Sequence, residues 1–313
     1  MEIAMSVREF DIAILGAGAA GLTAAHVAAE TGASVIVVEK LSVGGQVSTI
    51  DEIKNFPGEA DPIAGYEVGP QLLDEADEAG AEFILDEVES LNQVDGRWLI
   101  KCASEDISAH AVILATGSSR KRLGVVGEEE LIGRGVSHCA SCDGGFFRDK
   151  TVIVAGGGDS ALDEATVLAG VVGNVVIVHH GDEPSATQGQ QAALRATDNV
   201  EFCANSEIAE VVGDDKGVCG VILKHQMTGI TTPHVAEGVF VYIGLKPNTE
   251  FLGAAFKLDD SGRCIVDDNL QTSCEGVFAA GDLRSGSAAM LVESVQDGKR
   301  AAAAASAYSE GKQ

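Results

Sequence analysis

Residues 10–21 read Phe10-Asp11-Ile12-Ala13-Ile14-Leu15-Gly16-Ala17-Gly18-Ala19-Ala20-Gly21, an apolar run that passes directly into a G-x-G-x-x-G loop. The run has the near-continuous hydrophobicity of a parallel strand buried on both faces, and an alanine-rich stretch of helical character follows it. In such a loop Gly16 permits the tight turn, Gly18 lets the backbone approach a pyrophosphate, and Gly21 lets the helix pack close to the strand. A second strand, Ser34-Val35-Ile36-Val37-Val38, ends at Glu39, about 20 residues on, where an acidic side chain holds a ribose hydroxyl in dinucleotide folds. Strand, glycine loop, helix, strand and terminal acid in this order predict a dinucleotide-binding α/β unit.

The pattern occurs twice. Thr151-Val152-Ile153-Val154 leads into Gly156-Gly157-Gly158-Asp159-Ser160-Ala161, and Asn174-Val175-Val176-Ile177-Val178 is the following strand. Here the position matching Glu39 is His179, followed by His180-Gly181-Asp182-Glu183-Pro184-Ser185. Neither a ribose acid nor an arginine for a 2′-phosphate is present, so a fold inherited without its ligand stands beside a working nucleotide site. His179 and His180 are expected to be exposed and idle.

Between the two glycine loops lies Cys139-Ala140-Ser141-Cys142-Asp143-Gly144. The C-x-x-C spacing lets two thiols close a small disulfide ring, and such pairs commonly hold one thiol at a lowered pKa for attack on another disulfide. Asp143 supplies an acceptor and proton source within reach of either sulfur. Half of a zinc site and a pair of buried structural thiols are the alternatives, but no second C-x-x-C or C-x-x-H completes a tetrahedral shell. The stretch is read as a redox centre with no metal.

The 313 residues suggest two domains. A hydrophobic content of 45% with only 4% aromatics and 38 glycines points to an α/β chain with many tight strand-to-helix turns. No apolar run reaches membrane-spanning length and residues 1–10 lack a signal-peptide pattern, so a cytoplasmic protein is expected. Seven cysteines in a chain of this length fit a reducing compartment; Cys102, Cys203, Cys219, Cys264 and Cys274 are expected to be small buried hydrophobes. The net charge of −27 excludes nucleic acid and anionic membrane as partners, and matches a solvated surface of the kind that suits high salt. Asp74-Glu75-Ala76-Asp77-Glu78 and Glu128-Glu129-Glu130 are read as exposed helix faces.

Elsewhere the chain gives mostly elements and turns. Gly44-Gly45-Gln46 and Asn55-Phe56-Pro57-Gly58 read as turns. Residues 66–80 suggest an acidic helix, and 81–114 several short strands around Trp98. Ala111-Val112-Ile113-Leu114 ends at Ala115-Thr116-Gly117, where a backbone approaches a cofactor closely. Residues 238–243 form an apolar strand that precedes Gly244 and Pro247-Asn248-Thr249, and residues 271–282 form a strand ending in Gly281-Asp282. The alanine-rich tail, 287–308, reads as a helix.

Taken together, Gly16 to Gly21, Gly44-Gly45-Gln46, Asn55 to Gly58, Ala115-Thr116-Gly117, Cys139 to Gly144, Gly156 to Ala161, and Gly276-Val277-Phe278-Ala279-Ala280-Gly281-Asp282 resemble the low-molecular-weight thioredoxin reductases, from about residue 10 to about 305. The resemblance implies two Rossmann-like domains, the second inserted in the first: a flavin domain over 1–122 and 245–313, and a cysteine-bearing NAD(P)H-type domain over 123–244. It implies FAD contacts at Gly16, Gly18, Ala19, Ala20, Gly21, Glu39, Lys40, Gly45, Gln46, Asn55, Thr116, Gly117, Gly281 and Asp282, with Ala289 and Met290 beside the flavin. A homodimer with a rotating inserted domain, Cys142 as the flavin-facing sulfur, Cys139 as the outer thiolate, Asp143 as acid-base residue and a thioredoxin-like acceptor are implied in the same way.

Two positions depart from the family pattern. His179-His180-Gly181 and Ser185 stand where the family carries His-Arg-Arg and a further Arg for the 2′-phosphate of NADPH, and Asp182 and Glu183 make the region acidic. Ala289-Met290 stands where the family has Arg-Gln. The expectation is a flavin-dependent disulfide reductase driven by NADH or a non-nicotinamide donor such as another redox protein, less well by NADPH. The alternative is a nicotinamide-independent oxidase that forms a disulfide in a small dithiol with oxygen as acceptor. A redox-sensing flavoprotein without turnover is the reading the intact Cys139, Cys142 and Asp143 favour least.

Overall fold

The computed structural model describes residues 7–50, 52–54, 56 and 61–312; Asn55, Pro57 and Gly58 lie outside them. The chain divides into two compact units, one built from the described residues up to Ser119 and from Lys246 onward, the other from Arg120–Leu245. The second is therefore inserted in the first.

In chain order the strands are β1 (Arg8–Leu15), β2 (Val35–Glu39), β3 (Glu82–Leu85), β4 (Val88–Val94), β5 (Arg97–Cys102), β6 (Ile107–Leu114), β7 (Ser118–Arg120), β8 (Val136–Ser137) and β9 (Thr151–Ala155). They continue with β10 (Asn174–Val178), β11 (Val200–Cys203), β12 (Ser206–Asp214), β13 (Gly217–His225), β14 (Thr231–Val235), β15 (Gly238–Val241), β16 (Leu245–Pro247) and β17 (Val277–Ala279). The helices are α1 (Ala19–Glu30), α2 (Gly65–Glu78), α3 (Ala140–Asp143), α4 (Asp159–Ala169), α5 (Gln188–Arg195) and α6 (Leu291–Glu310).

The first unit is built on a sheet of order β3-β2-β1-β6-β5-β4, with β17 also paired to β6. Strands β3, β2, β1, β6 and β17 run parallel, whereas β5 is antiparallel to β6 and β4 in turn antiparallel to β5. Successive side chains of a strand point to opposite faces, and both faces here are covered. Ile12, Ile14, Val35, Val37 and Ile113 pack with α1, α2 and α6, while Ala13, Leu15, Ile36, Val38 and Leu114 pack with Trp98, Phe256 and Cys264. That two-sided burial is why β1 reads as a continuous apolar run.

The second unit repeats the plan with a parallel sheet of order β11-β10-β9-β15-β8. Val152, Val154, Val175 and Ile177 pack with α4, Phe147 and Phe240; Ile153, Ala155, Val176 and Val178 face Ile208, Val221 and Leu223 of a separate antiparallel sheet, β12-β13-β14. That three-stranded sheet is not foreseen in the sequence. Register shifts between Ile208 and Glu210 and between Val212 and Gly213 break the two-residue alternation that would have marked it.

Other expectations change in detail. The tail helix begins at Leu291 rather than 287, because Ala289 takes a left-handed φ of 54° and Met290 is extended. The strand from 238 stops at Val241. Glu128 is buried rather than on an exposed helix face, since its carboxylate accepts the backbone N–H groups of Leu123 and Gly124 at 2.8 and 2.7 Å. Asp74, Glu75, Asp77 and Glu78 do lie on the exposed side of α2, around buried Ala76.

Helix α6 packs on α1 at very short range: a Cβ on Gly298 would lie 2.4 Å from the Ala20 carbonyl oxygen. The obstacle is backbone and cannot swing aside. Gly298→Ala is expected to destabilise the protein by about 1–3 kcal/mol, the usual cost of overpacking, seen as a lowered urea midpoint; an unchanged midpoint would contradict this packing.

Candidate active site

The cysteine pair sits at the start of α3. Cys139 and Cys142 form a disulfide with a Cα separation of 5.3 Å. Cys139 is the N-cap of the short helix, and its Sγ accepts the backbone N–H of Cys142 at 3.2 Å. Cys142 is exposed and Cys139 half-buried. Asp143 is held by Ser137, whose hydroxyl donates to Oδ2 at 2.6 Å and whose Oγ accepts the Cys139 N–H at 3.1 Å. Ser137 thus links the carboxylate to the sulfur-bearing turn, a role that nothing in the sequence signals.

Beside Asp143 the same unit opens a cavity of about 540 Å³ whose lining includes Arg134, Phe146, Lys150, Lys216 and Cys219. Phe146 is 74% exposed. Arg134, Lys150 and Lys216 are balanced there by Asp143, Asp214 and Glu237, so the groove is a mixed-charge one around an exposed aromatic. Cys219 is exposed, contrary to the expectation of a buried small hydrophobe, because it lies on the outward face of β13.

The first glycine loop forms a cradle. Gly16 has φ of 105° and donates its N–H to Val38 O at 2.8 Å; a Cβ on it would lie 2.4 Å from Ala115 O. Gly18 is the N-cap of α1, with no side-chain cap and, among the described residues, no atom within 4 Å of where its Cβ would be. An open helix N-terminus of this kind suits a pyrophosphate. Glu39 closes one side: Oε2 accepts the Ala17 N–H and Oε1 the Leu41 N–H, both at 2.8 Å. Behind it, the Gly44 N–H bonds Ala17 O at 2.8 Å, and Gly45 would place a Cβ 3.4 Å from the Gly18 Cα.

Further residues converge on the same unit. Gln46 Nε2 donates to Ser118 O at 2.9 Å, and Asn248 grips the Ala115-Thr116-Gly117 turn by accepting from Thr116 Oγ1 on its own carbonyl at 2.8 Å and donating Nδ2 to Thr116 O at 2.7 Å. Asn248 reads in the sequence only as part of a turn. Lys40 is exposed and paired with Glu87 at 2.6 Å. Gly281 faces the start of α1, since a Cβ on it would lie 3.1 Å from the Ala20 Cβ. Burial pushes the pKa of the neighbouring Asp282 up. Ala289 and Met290 precede α6, Met290 as its exposed N-cap. Open anion site, acid at the ribose position and narrow backbone cradle together fit a dinucleotide.

The second glycine loop has the same backbone but other chemistry. Gly158 caps α4 without a side-chain bond. His179 is only 3% exposed, not idle on the surface, and neither ring nitrogen finds a hydrogen-bond partner among the described residues. It packs edge-on to Phe202 and beside Gly157, and burial pushes its pKa down. His180 is exposed. Arg195 stacks over the Phe202 ring at 4.4 Å and pairs with Glu183 at 2.5 Å. Among the described residues no group of acids, histidines and cysteines is arranged to hold a metal, and no helix is long and apolar enough to cross a membrane.

Two glycine-loop units and an intervening disulfide define a nucleotide-dependent disulfide oxidoreductase. The chain belongs to the pyridine nucleotide-disulphide oxidoreductase family, whose model matches residues 10–309, and within it to the thioredoxin reductases. It is 39% identical over 300 residues to thioredoxin reductase of Treponema pallidum, covering 96% of this chain and 97% of the relative. The crystal structure of Lactococcus lactis thioredoxin reductase (FR conformation) matches with a TM-score of 0.87 at 33% identity, over 96% of this chain and 99% of that one. Thioredoxin reductase of T. acidophilum matches with a TM-score of 0.84 at 36% identity, over 98% and 100%. The chain is an FAD-dependent oxidoreductase of this type, and the family implies a nicotinamide nucleotide as its second cofactor.

The remaining thiols separate by environment. Burial pushes Cys102 and Cys264 up to about 12, with nearby carboxylates adding to the effect at Cys102, and raises Cys274 as well. The thiolate is the reactive form, so these three stay protonated and inert near neutral pH. Iodoacetamide added to the reduced, folded protein is expected to label Cys139, Cys142 and Cys219, and to reach Cys102, Cys264 and Cys274 only after unfolding, as read by peptide mass spectrometry. Labelling of Cys264 in the folded protein would contradict the assignment.

Proposed function

We propose that the chain is a disulfide reductase that passes two electrons from a reduced donor through FAD and the Cys139–Cys142 pair to a thioredoxin-like protein. The observation that carries this reading is the disulfide itself, at the N-cap of α3 with Ser137 and Asp143 beside it. FAD would be held at Gly16, Gly18, Ala19, Ala20, Gly21, Glu39, Lys40, Gly45, Gln46, Thr116, Gly117, Gly281 and Asp282, with Ala289 and Met290 at its edge, and supplies a two-electron carrier when bound.

The chain's own groups account for the rest. Two electrons delivered to the Cys139–Cys142 bond open it to two sulfurs, one of which takes a proton from Asp143. The Cys139 sulfur accepts a backbone N–H from Cys142, which favours its anionic form. As thiolate it attacks one sulfur of the acceptor disulfide, and the other acceptor sulfur leaves as a thiolate that takes a proton from solvent. Cys142, its proton held by or returned to Asp143, then attacks Cys139 Sγ, which releases the second acceptor sulfur to take a solvent proton and re-forms the ring. The groove beside Asp143, with charges of both signs around the exposed Phe146, suits a protein acceptor, and a homodimer is the assembly we propose.

For the donor, NADH or a non-nicotinamide reductant is favoured over NADPH. A 2′-phosphate at the second loop would meet Asp182 and Glu183, while Arg195 is already engaged by Glu183 and Phe202. The same acidic face supports a second reading, in which a small dithiol closes to a disulfide at this centre and its two electrons and two protons pass to oxygen, giving hydrogen peroxide.

An anaerobic titration of the holoprotein separates these readings. Bleaching of the flavin by NADH well before NADPH, followed by reduction of an oxidised thioredoxin, is the expected result. No bleaching by either nucleotide, together with peroxide formation from a dithiol once the same holoprotein is exposed to air, would overturn the reductase in favour of the oxidase.

A further inference from the structure

The first turn of α6 carries a charged network that the steps above leave unused. Arg284, with its side chain only 12% exposed, donates Nε to Asp297 Oδ2 and Nη2 to Glu293 Oε1, the latter at 2.8 Å. Asp297 Oδ2 also accepts the Gly281 N–H at 3.2 Å. Glu293 Oε2 reaches back to accept the Ala288 N–H at 2.6 Å. Arg263 Nη1 completes the loop by donating to Ser287 O at 3.0 Å.

These bonds hold two things at once. Through Asp297 they fix Gly281, which faces Ala20 of the glycine-loop helix and lies close to Ser294 of α6, its Cβ position being 3.1 and 3.4 Å from them. Through Glu293 and Arg263 they fix the turn 284–289 that leads into α6. Arg263, Arg284 and Arg300 are the cations of the cluster, Arg300 Nη1 lying 3.7 Å from Asp297 Oδ1, and Asp282, Glu293 and Asp297 are the acids. Glu293 is moreover felt at Asp282, where it adds to burial in raising that carboxyl, against Arg263.

A fixed charge near a bound redox cofactor tunes it by stabilising or destabilising the added electrons. An acid in the first turn of a helix also satisfies the helix dipole that would otherwise be available to an anionic ligand. Both effects have the same sign at Glu293.

We propose that Glu293 is a positioning residue that, clamped between Arg284 and the Ala288 N–H in the first turn of α6, lowers the reduction potential of the flavin held in the cradle of residues 16–21 and 281–282. The inference rests on the reading of that cradle as the FAD site. Glu293→Gln keeps the size of the side chain and removes its charge, so the reduced flavin gains stability relative to the oxidised form.

The test compares holoprotein of wild type, Glu293→Gln, Glu293→Ala and Arg284→Lys, each equilibrated anaerobically with a reference two-electron couple and read by flavin absorbance. At the poise where wild type is half reduced, both Glu293 variants are expected to show about a tenfold higher ratio of reduced to oxidised flavin, equivalent to about 30 mV for a two-electron couple. Arg284→Lys, which keeps the cation, is expected to stay near the wild-type ratio. Ratios unmoved in both Glu293 variants, or loss of flavin from both, would overturn the proposal while leaving the FAD site standing. A wild-type protein that takes up no FAD would instead overturn the reading on which it rests.

Discussion

Everything in the first unit depends on one close approach of backbone to backbone. A Cβ on Gly21 would lie 1.9 Å from the Gly16 carbonyl oxygen, so the first turn of α1 can press against the end of β1 only with glycine at that position. The same contact aims the uncapped N-terminus of α1 out of the sheet, toward the open space in front of Gly18. Glu39 then ties the end of β2 to the loop through the Ala17 N–H, and Gly298 lets α6 close over Ala20. Three elements distant in sequence thus meet around one helix terminus, which is the physical content of a dinucleotide cradle.

The second unit satisfies the same constraint and changes the chemistry. Gly156, at φ of 138°, would place a Cβ 2.3 Å from Tyr242 O, so this loop too is shaped by a backbone neighbour. The side chains beyond β10 differ: a buried imidazole at His179, acids at 182 and 183, and an arginine already paired. The strand and loop keep the unit packed independently of them.

The legible part of the molecule was the local part. The strand from Asn174 to Val178 and the two glycine loops stood out because their signal is carried by consecutive residues, and the C-x-x-C pair because its partners are three apart. Side chains whose partners come from elsewhere were not legible. Ser137 looks like any strand-end serine until α3 brings Asp143 onto it, and Glu128 looks like one member of an acidic run until it turns inward to the Leu123 and Gly124 N–H groups. His179 carries a polar side chain at the end of an apolar strand, and its burial follows from Phe202 and Gly157, 23 and 22 residues away in sequence. The sheet β12-β13-β14 was hidden by its own bulges.

The central claim is that the disulfide exchanges electrons with the flavin and is not a structural link. Anaerobic dithionite titration of the holoprotein tests it most directly, by counting electrons. The account predicts that wild type takes up about two electrons per chain more than a Cys139→Ser/Cys142→Ser double variant before the flavin is fully reduced, since a disulfide is a two-electron couple. Equal uptake by the two proteins would contradict it.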